Sequence, residues 1–186
     1  PAPPPPPRSP ASPSTATQPP PRPPLKLVLL DRDGVLNVDV GSPGVVRASD
    51  LALEPGAAEA VRALNLAGLP VAVCTNQSCV GKGLCTEEQL AEIHGRLRDL
   101  LHAEAPGARL DAIFHAPQTA EDGGTWRKPG PGMLLAALDL FGAAPREAVF
   151  VGDTAGDMVA ASRAGTRRAA VLTGHGAGLR ARLEEE

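Results

Sequence analysis

Aromatic residues are almost missing from this chain of 186 residues, which has three phenylalanines, one tryptophan and no tyrosine. Its core must therefore be built from Leu, Val and Ala. Positive charge is not in excess either. Against 21 Asp and Glu stand 18 Lys and Arg, and a net charge of −3 with a pI near 5.8 excludes the basic footprint of a nucleic-acid or membrane-surface protein. Nothing approaches the ~18 consecutive apolar residues of a spanning helix, so no membrane partner is expected. Cysteine is sparse: Cys74, Cys79 and Cys85 fall close together. An odd count in a chain of this size does not read as a disulfide framework and points to a reducing, cytoplasmic compartment. Cys79 and Cys85 could hold a metal, but no nearby His completes a ligand set, so reduced structural thiols are the reading.

What is abundant is proline, and unevenly so. Thirteen of the first 24 residues are proline, the rest mostly Ser, Thr, Ala and Arg, and the chain begins at Pro1 rather than Met, as a fragment or processed product would. Such a stretch cannot bury enough apolar surface to order itself and samples polyproline II or coil. A bland tail is the first reading. A targeting remnant, which would place the protein in an organelle stroma, and a ligand for a proline-binding module are the others. Residues 25–186 form the single folded domain, of the size one core supports.

From Leu25 strand and helix signals alternate. LKLVLL (25–30) is a short apolar run, as in a strand buried on both faces. PGAAEAVRALNLAG (55–68) has Pro at a helix start and Gly at its end. PVAVCT (70–75) is a second strand, and TEEQLAEIHGRLRDLLHAE (86–104) a helix with Thr86 at its N-cap. LDAIFHA (110–116), PGMLLAALDLFG (131–142), EAVFVGD (147–153), DMVAASRAG (157–165) and RRAAVL (167–172) continue as strand, helix, strand, helix, strand. The pattern predicts an α/β fold, a doubly wound, Rossmann-like parallel sheet with right-handed crossovers. No room for a separate cap domain opens between the first three strands.

Ligands of such sheets bind outside the carboxyl ends of the strands. Asp31 and Asp33 follow strand one, Thr75 and Asn76 strand two, Asp153 and Asp157 strand four, and Arg127 and Lys128 precede the third helix. All four clusters land on one rim. Acids, bases and a Thr-Asn pair converging there are equipment for phosphoryl transfer. Asp31 and Asp153 offer oxygen to a hard cation, for which Mg²⁺ suits a site that also takes a phosphate oxygen. One carboxylate can attack phosphorus, and another can protonate the leaving oxygen and then activate water. Lys128 and the Thr75 hydroxyl would stabilise the phosphoryl oxygens. Asp157 either stands near the metal or caps the following helix. His94, His102 and His175 read as surface or boundary residues rather than catalysts, and Trp126 as packing for its loop.

D-R-D-G-V-L-N, C-T-N-Q-S, R-K-P-x-P-G-M and V-G-D-x-x-x-D-M resemble, in order, the four motifs of the haloacid dehalogenase-like phosphatases. TNQSCVGKGLCTEEQL (75–90) and RKPGPGML (127–134) are similar to the subgroup of D-glycero-D-manno-heptose 1,7-bisphosphate 7-phosphatases and histidinol-phosphatases. The resemblance covers about residues 26–173. It implies Asp31 as nucleophile and metal ligand, and Asp33 as general acid/base with its carbonyl on the metal. It also implies Asp153 as metal ligand, with Thr75, Asn76 and Lys128 on the transferring phosphate. Arg127, Gln77, Ser78 and Lys82 would contact the rest of the substrate, and Asn37 would support the nucleophile loop. Many members of the subgroup carry a structural zinc. Here Ile113, Gly124 and Trp126 stand at the matching cysteine positions and only His115 remains, so Mg²⁺ is expected and zinc is not.

Three functions follow as expectations. The first is a Mg²⁺-dependent phosphatase of a heptose bisphosphate or related sugar phosphate, acting as a monomer on a small phosphorylated metabolite. The second is the same chemistry on histidinol phosphate or a nucleic-acid 3′-phosphate, the latter disfavoured by the acidic pI. The third is a non-catalytic scaffold recruiting partners through the proline-rich tail.

Overall fold

The computed structural model describes residues 22–185. The proline-rich segment, apart from its last three residues, lies outside them. Strand β1 (Leu27–Leu30) is buried along its whole length, as the uninterrupted LVLL run requires. Helix α1 (Ala57–Leu66) leads to β2 (Val71–Asn76), then to the single turn of α2 (Ser78–Gly81) and the long α3 (Glu87–Glu104). There follow β3 (Ala112–Ala116), α4 (Gly132–Phe141), β4 (Ala148–Gly152), α5 (Ala155–Ala164), β5 (Arg167–Ala170) and α6 (Gly176–Glu185). All strand pairs are parallel, in the order β3-β2-β1-β4-β5.

Side chains alternate across β1 and so divide the core in two. Val28 and Leu30 face the layer of α1 and α3, against Val61, Ile93, Leu97 and Leu101. Leu27 and Leu29 face the layer of α4 and α5, against Met133, Leu134, Ala137, Ala160 and Ala161. With so few rings available, Phe150 is the one fully buried phenylalanine among the described residues. The doubly wound sheet is therefore as expected. Between β1 and β2 the chain holds only a loop, a 3-10 turn (Ala48–Asp50) and α1, and no cap domain. Among the described residues no helix is long and apolar enough to cross a membrane.

Thr86 caps α3 as expected, in a reciprocal box: its Oγ1 accepts the Gln89 N–H and its own N–H donates to Gln89 Oε1. Helix α5 corrects the reading of Asp157 as a cap. Thr154 is the N-cap and Asp157 is its partner at N3, because the helix begins earlier than the apolar pattern suggested. Helices α2 and α6 were not expected. The first is one turn long, and Gly176 and Gly178 depress helix propensity at the start of the second. The three cysteines are buried and unpaired.

The strand order reverses at β1, which lies between β2 and β4. The first two crossovers step outward from β1 to β2 and β3, the third returns past β1 to β4, and the last steps outward to β5. The crevice outside the carboxyl ends of β1 and β4 is the topological switch point, where such sheets receive ligands.

Candidate active site

The loop after β1 closes on itself. Asp31 N–H still donates to Val151 O at 2.9 Å, continuing the ladder to β4. Beyond it Leu36 and Asn37 N–H both donate to Arg32 O, and Gly34 N–H donates to Asn37 O at 2.7 Å. Gly34 takes φ +78°, which a side chain would resist. This tight turn fixes two carboxylates in different surroundings.

Asp33 sits in a cradle of donors. Arg32 forks onto both oxygens at 3.0 Å, Asn37 Nδ2 donates at 2.9 Å, and Gln77 Nε2 donates at 2.8 Å. Burial opposes ionisation, but the Arg32 guanidinium and these hydrogen bonds outweigh it and hold the carboxyl below its ordinary range. Asp31 has less support. Its Oδ1 accepts the Arg32 N–H at 2.7 Å and faces Lys128 Nζ at 2.8 Å. Burial, aided by the negative charge of Asp157, pushes its pKa up to about 7 in spite of the lysine.

Lys128 is almost wholly buried and bridges two acids, Asp31 and, at 2.7 Å, Asp157 Oδ1. Burial alone would lower its pKa, and the two carboxylates reverse that, so the amine stays charged. Asn76 aims the lysine: its side-chain amide donates to Lys128 O at 3.0 Å and accepts the Lys128 N–H at 3.1 Å. Thr75 Oγ1 accepts from Gln77 Nε2, which leaves its own proton free to donate into the cleft.

The donor set fits a hard divalent cation. Carboxylates of Asp31, Asp153 and Asp157 lie within 4.8 Å of one another, and Asp153 Oδ1 is buried without a hydrogen-bond partner. Burial also pushes the Asp153 pKa upward, and a bound cation would offset that cost. Asp157 is the least available of the three. Its Oδ2 accepts from Thr154 N and Oγ1, and its Oδ1 faces Lys128, so it orients the lysine rather than offering a free oxygen.

These groups floor an open cleft of about 280 Å³, lined by Asp31, Asp33, Thr75, Asn76, Ser78, Lys128, Asp153 and Asp157, with Asp39, residues 41–44 and His175 on its rim. Three candidates are placed elsewhere. Gln77 is buried behind Asp33 and supports it rather than reaching the cleft. Arg127 donates to Gln118 O and lines a neighbouring depression with Arg163. Lys82 is exposed beyond α2.

A family model described as HAD-hydrolase-like matches residues 125–185. The D-glycero-D-manno-heptose-1,7-bisphosphate 7-phosphatase of Thermosynechococcus vestitus is 42% identical over 168 residues, covering 82% of each chain. The chain belongs to the haloacid dehalogenase-like hydrolases. The corresponding enzyme of Neisseria meningitidis is 38% identical over 154 residues, covering 82% of this chain and 80% of its own. The crystal structure of the B. bronchiseptica D,D-heptose 1,7-bisphosphate phosphatase, complexed with magnesium and phosphate, superposes with a TM-score of 0.80 at 35% identity, over 85% of this chain and 87% of that one. Within the family the chain is a phosphatase.

Two features of this HAD-like phosphatase were not seen in its sequence as functional. His175, expected at the surface or boundary, is exposed as expected, and it also lines the cleft, pairs with Asp39 Oδ2 at 2.9 Å and donates its N–H to Asp153 Oδ2 at 2.8 Å. The T-G-H-G run two residues beyond β5, on the same rim as the acids, was the available signal. His94 was read as a surface or boundary residue and is instead buried against Arg32, whose Nη1 donates to its Nε2 at 3.4 Å. An arginine can only donate, so the imidazole is neutral with its proton on Nδ1.

Burial, then the Arg32 charge, lowers the His94 pKa to about 3. Between that value and the ordinary 6.5 the unfolded chain binds the extra proton, so stability rises with pH across this window. Acidification below pH 6.5 should therefore cost the wild type about 1 kcal/mol per pH unit more than it costs His94→Gln. Urea unfolding at several pH values checks this, and parallel pH slopes for the two proteins would refute it.

Proposed function

We propose that this phosphatase removes the 7-phosphate of D-glycero-D-manno-heptose 1,7-bisphosphate, with Mg²⁺ and through an aspartyl-phosphate on Asp31. The observation that carries the chemistry is Asp31 against Lys128 at 2.8 Å on the cleft floor, with Asp33 two residues away in a separate cradle. Asp31, Asp153 and the Asp33 carbonyl would hold the cation, which when bound draws Asp31 into its ionised form and neutralises phosphate charge.

Asp31 attacks phosphorus, and the bond to the ester oxygen breaks. Lys128 balances the phosphoryl charge and the Thr75 hydroxyl donates to one of its oxygens. Asp33 rests ionised, so it must take up a proton and turn from its cradle to deliver that proton to the leaving alcohol. Once ionised again it removes a proton from water, which attacks the aspartyl-phosphate and returns Asp31 with free phosphate. Asn76 and Asp157 orient Lys128, while Gln77 and Asn37 return Asp33 to rest. Arg127 and Lys82, set back from the floor, would meet only a distal part of the substrate. The catalytic unit is residues 25–186, acting as a single chain, since every proposed site residue lies within it.

The substrate assignment is supported by the heptose bisphosphate phosphatases that this chain resembles and by the open cleft, which admits a compact terminal phosphate. No zinc is assigned. Ile113, Gly124 and Trp126 offer no thiolate, and His115 is paired with Glu87 Oε2 at 3.0 Å. A panel of phosphorylated metabolites assayed with Mg²⁺ tests the proposal. Heptose 1,7-bisphosphate is expected to release phosphate fastest, ahead of histidinol phosphate and a 3′-phosphorylated oligonucleotide. A higher kcat/KM on either of those would overturn the substrate, and no release from any would favour a scaffold.

A further inference from the structure

The exit from β5 runs back over the site. Thr173 Oγ1 donates to Gly34 O at 2.6 Å, tying this segment to the loop that carries Asp31 and Asp33. Two residues on, the His175 N–H donates to Asp153 Oδ2 at 2.8 Å. Gly174 lies between them at φ +56°, and a Cβ there would overlap Asp153 Oδ2 and sit 2.7 Å from Gly34 Cα. Gly34 is the counterpart: a Cβ on it would overlap the same Oδ2 and lie 3.1 Å from Gly174 Cα. Two glycine backbones thus close on one carboxylate oxygen while the other, Oδ1, is buried with no partner. The segment is also fastened at the cleft mouth. His175 Nε2 meets Asp39 Oδ2 at 2.9 Å, and Asp39 Oδ1 accepts the Gly41 N–H at 2.9 Å.

We propose that Thr173, Gly174 and His175 form a positioning clamp that fixes Oδ2 of Asp153 so that Oδ1 is presented to the divalent cation. This rests on the reading above that Asp153 holds the cation. A carboxylate with one oxygen locked by a backbone N–H and crowded by two glycines has lost its freedom to rotate before the cation arrives. Its ordering is then met on folding and does not weaken binding. The Thr173 hydroxyl extends the same control to the Asp31 loop, so both carboxylates that face the cation are set in register by one segment.

The clamp predicts an effect on metal affinity separate from the fold. Titration calorimetry of Mg²⁺ into the metal-free full-length protein, beside its thermal unfolding without Mg²⁺, reads both. Thr173→Val should weaken Mg²⁺ binding about 10–100-fold, the range found when partners of metal ligands are removed, with a small change in metal-free Tm. Thr173→Ser, which keeps the hydroxyl, should restore it. Gly174→Ala should weaken binding at least as much. If its crowding prevents folding, the Thr173 pair decides alone. Asp153→Asn separates the clamp from the reading beneath it. Wild-type affinity in Thr173→Val with binding lost in Asp153→Asn overturns the clamp and leaves the cation reading standing. Wild-type affinity in Asp153→Asn overturns both. A Thr173→Val defect that Thr173→Ser fails to restore also overturns the clamp.

Discussion

Asp31→Asn should abolish Mg²⁺-dependent phosphate release, by a factor on the order of 10⁴ or more, as removal of a covalent nucleophile does. The substitution is close to isosteric. The amide oxygen can still accept from the Arg32 N–H and Lys128, the two partners of Asp31 Oδ1. Lys128 also keeps Asp157. The fold should therefore survive, and without divalent cation its pH dependence has a defined sign. Burial raises the folded pKa of Asp31 from 3.8 to about 7, so its contribution to stability is full below 3.8 and is lost as pH rises through 7. The asparagine variant lacks that loss. At pH 7.5 and without Mg²⁺ it should be at least as stable as the wild type, whereas added Mg²⁺ should raise the wild-type Tm by more. Residual turnover above about 1% of wild type would remove Asp31 from the nucleophile's role.

Lys128→Met should produce the largest loss of stability among substitutions at the site. It leaves Asp31 and Asp157, both buried, without the cation between them, and breaking a buried ion pair from one side costs about 3–5 kcal/mol. The protein has one relief available. Lys128 is what holds the Asp31 pKa down against burial, so without it the carboxyl takes up a proton at neutral pH. That relief neutralises the proposed nucleophile. With saturating Mg²⁺, turnover should fall about 10²–10³-fold and its acid limb should shift to higher pH. Denaturant unfolding with and without Mg²⁺, together with the pH profile of kcat, measures both parts. An unshifted acid limb would show that Lys128 does not govern Asp31.

The sheet and the rim were legible because parallel strands buried on both faces are unbroken apolar runs, and their carboxyl ends are where chemistry collects. LVLL followed by D-R-D and VFVG followed by Asp153 need no third dimension to be aligned. What could not be read was direction. Arg127 and Lys128 are neighbours in one loop, and only the second reaches the floor, because Asn76 grips its backbone on both sides. Asn76 and Gln77 were expected on the substrate. Their amides serve Lys128 and Asp33, a choice among partners that depends on elements distant in sequence, and only Gln77 leaves the cleft while Asn76 stays in its lining. His94 was the avoidable error. It adjoins the stripe of Leu90, Ile93, Leu97 and Leu101 on α3 that packs into the core, and its ring meets the buried Arg32. A histidine beside an apolar stripe should be read as buried until shown otherwise.

Trp126 gives the protein one intrinsic reporter. With no tyrosine in the chain, ultraviolet emission comes essentially from this indole. It is 36% exposed, bonded through Nε1 to His115 O at 2.9 Å, set edge-on to Phe114 and two residues from Lys128. Its fluorescence therefore samples the loop leading to Lys128 more than the helical layers. A denaturation curve recorded by emission can part from one recorded by circular dichroism wherever that loop loosens before the sheet does.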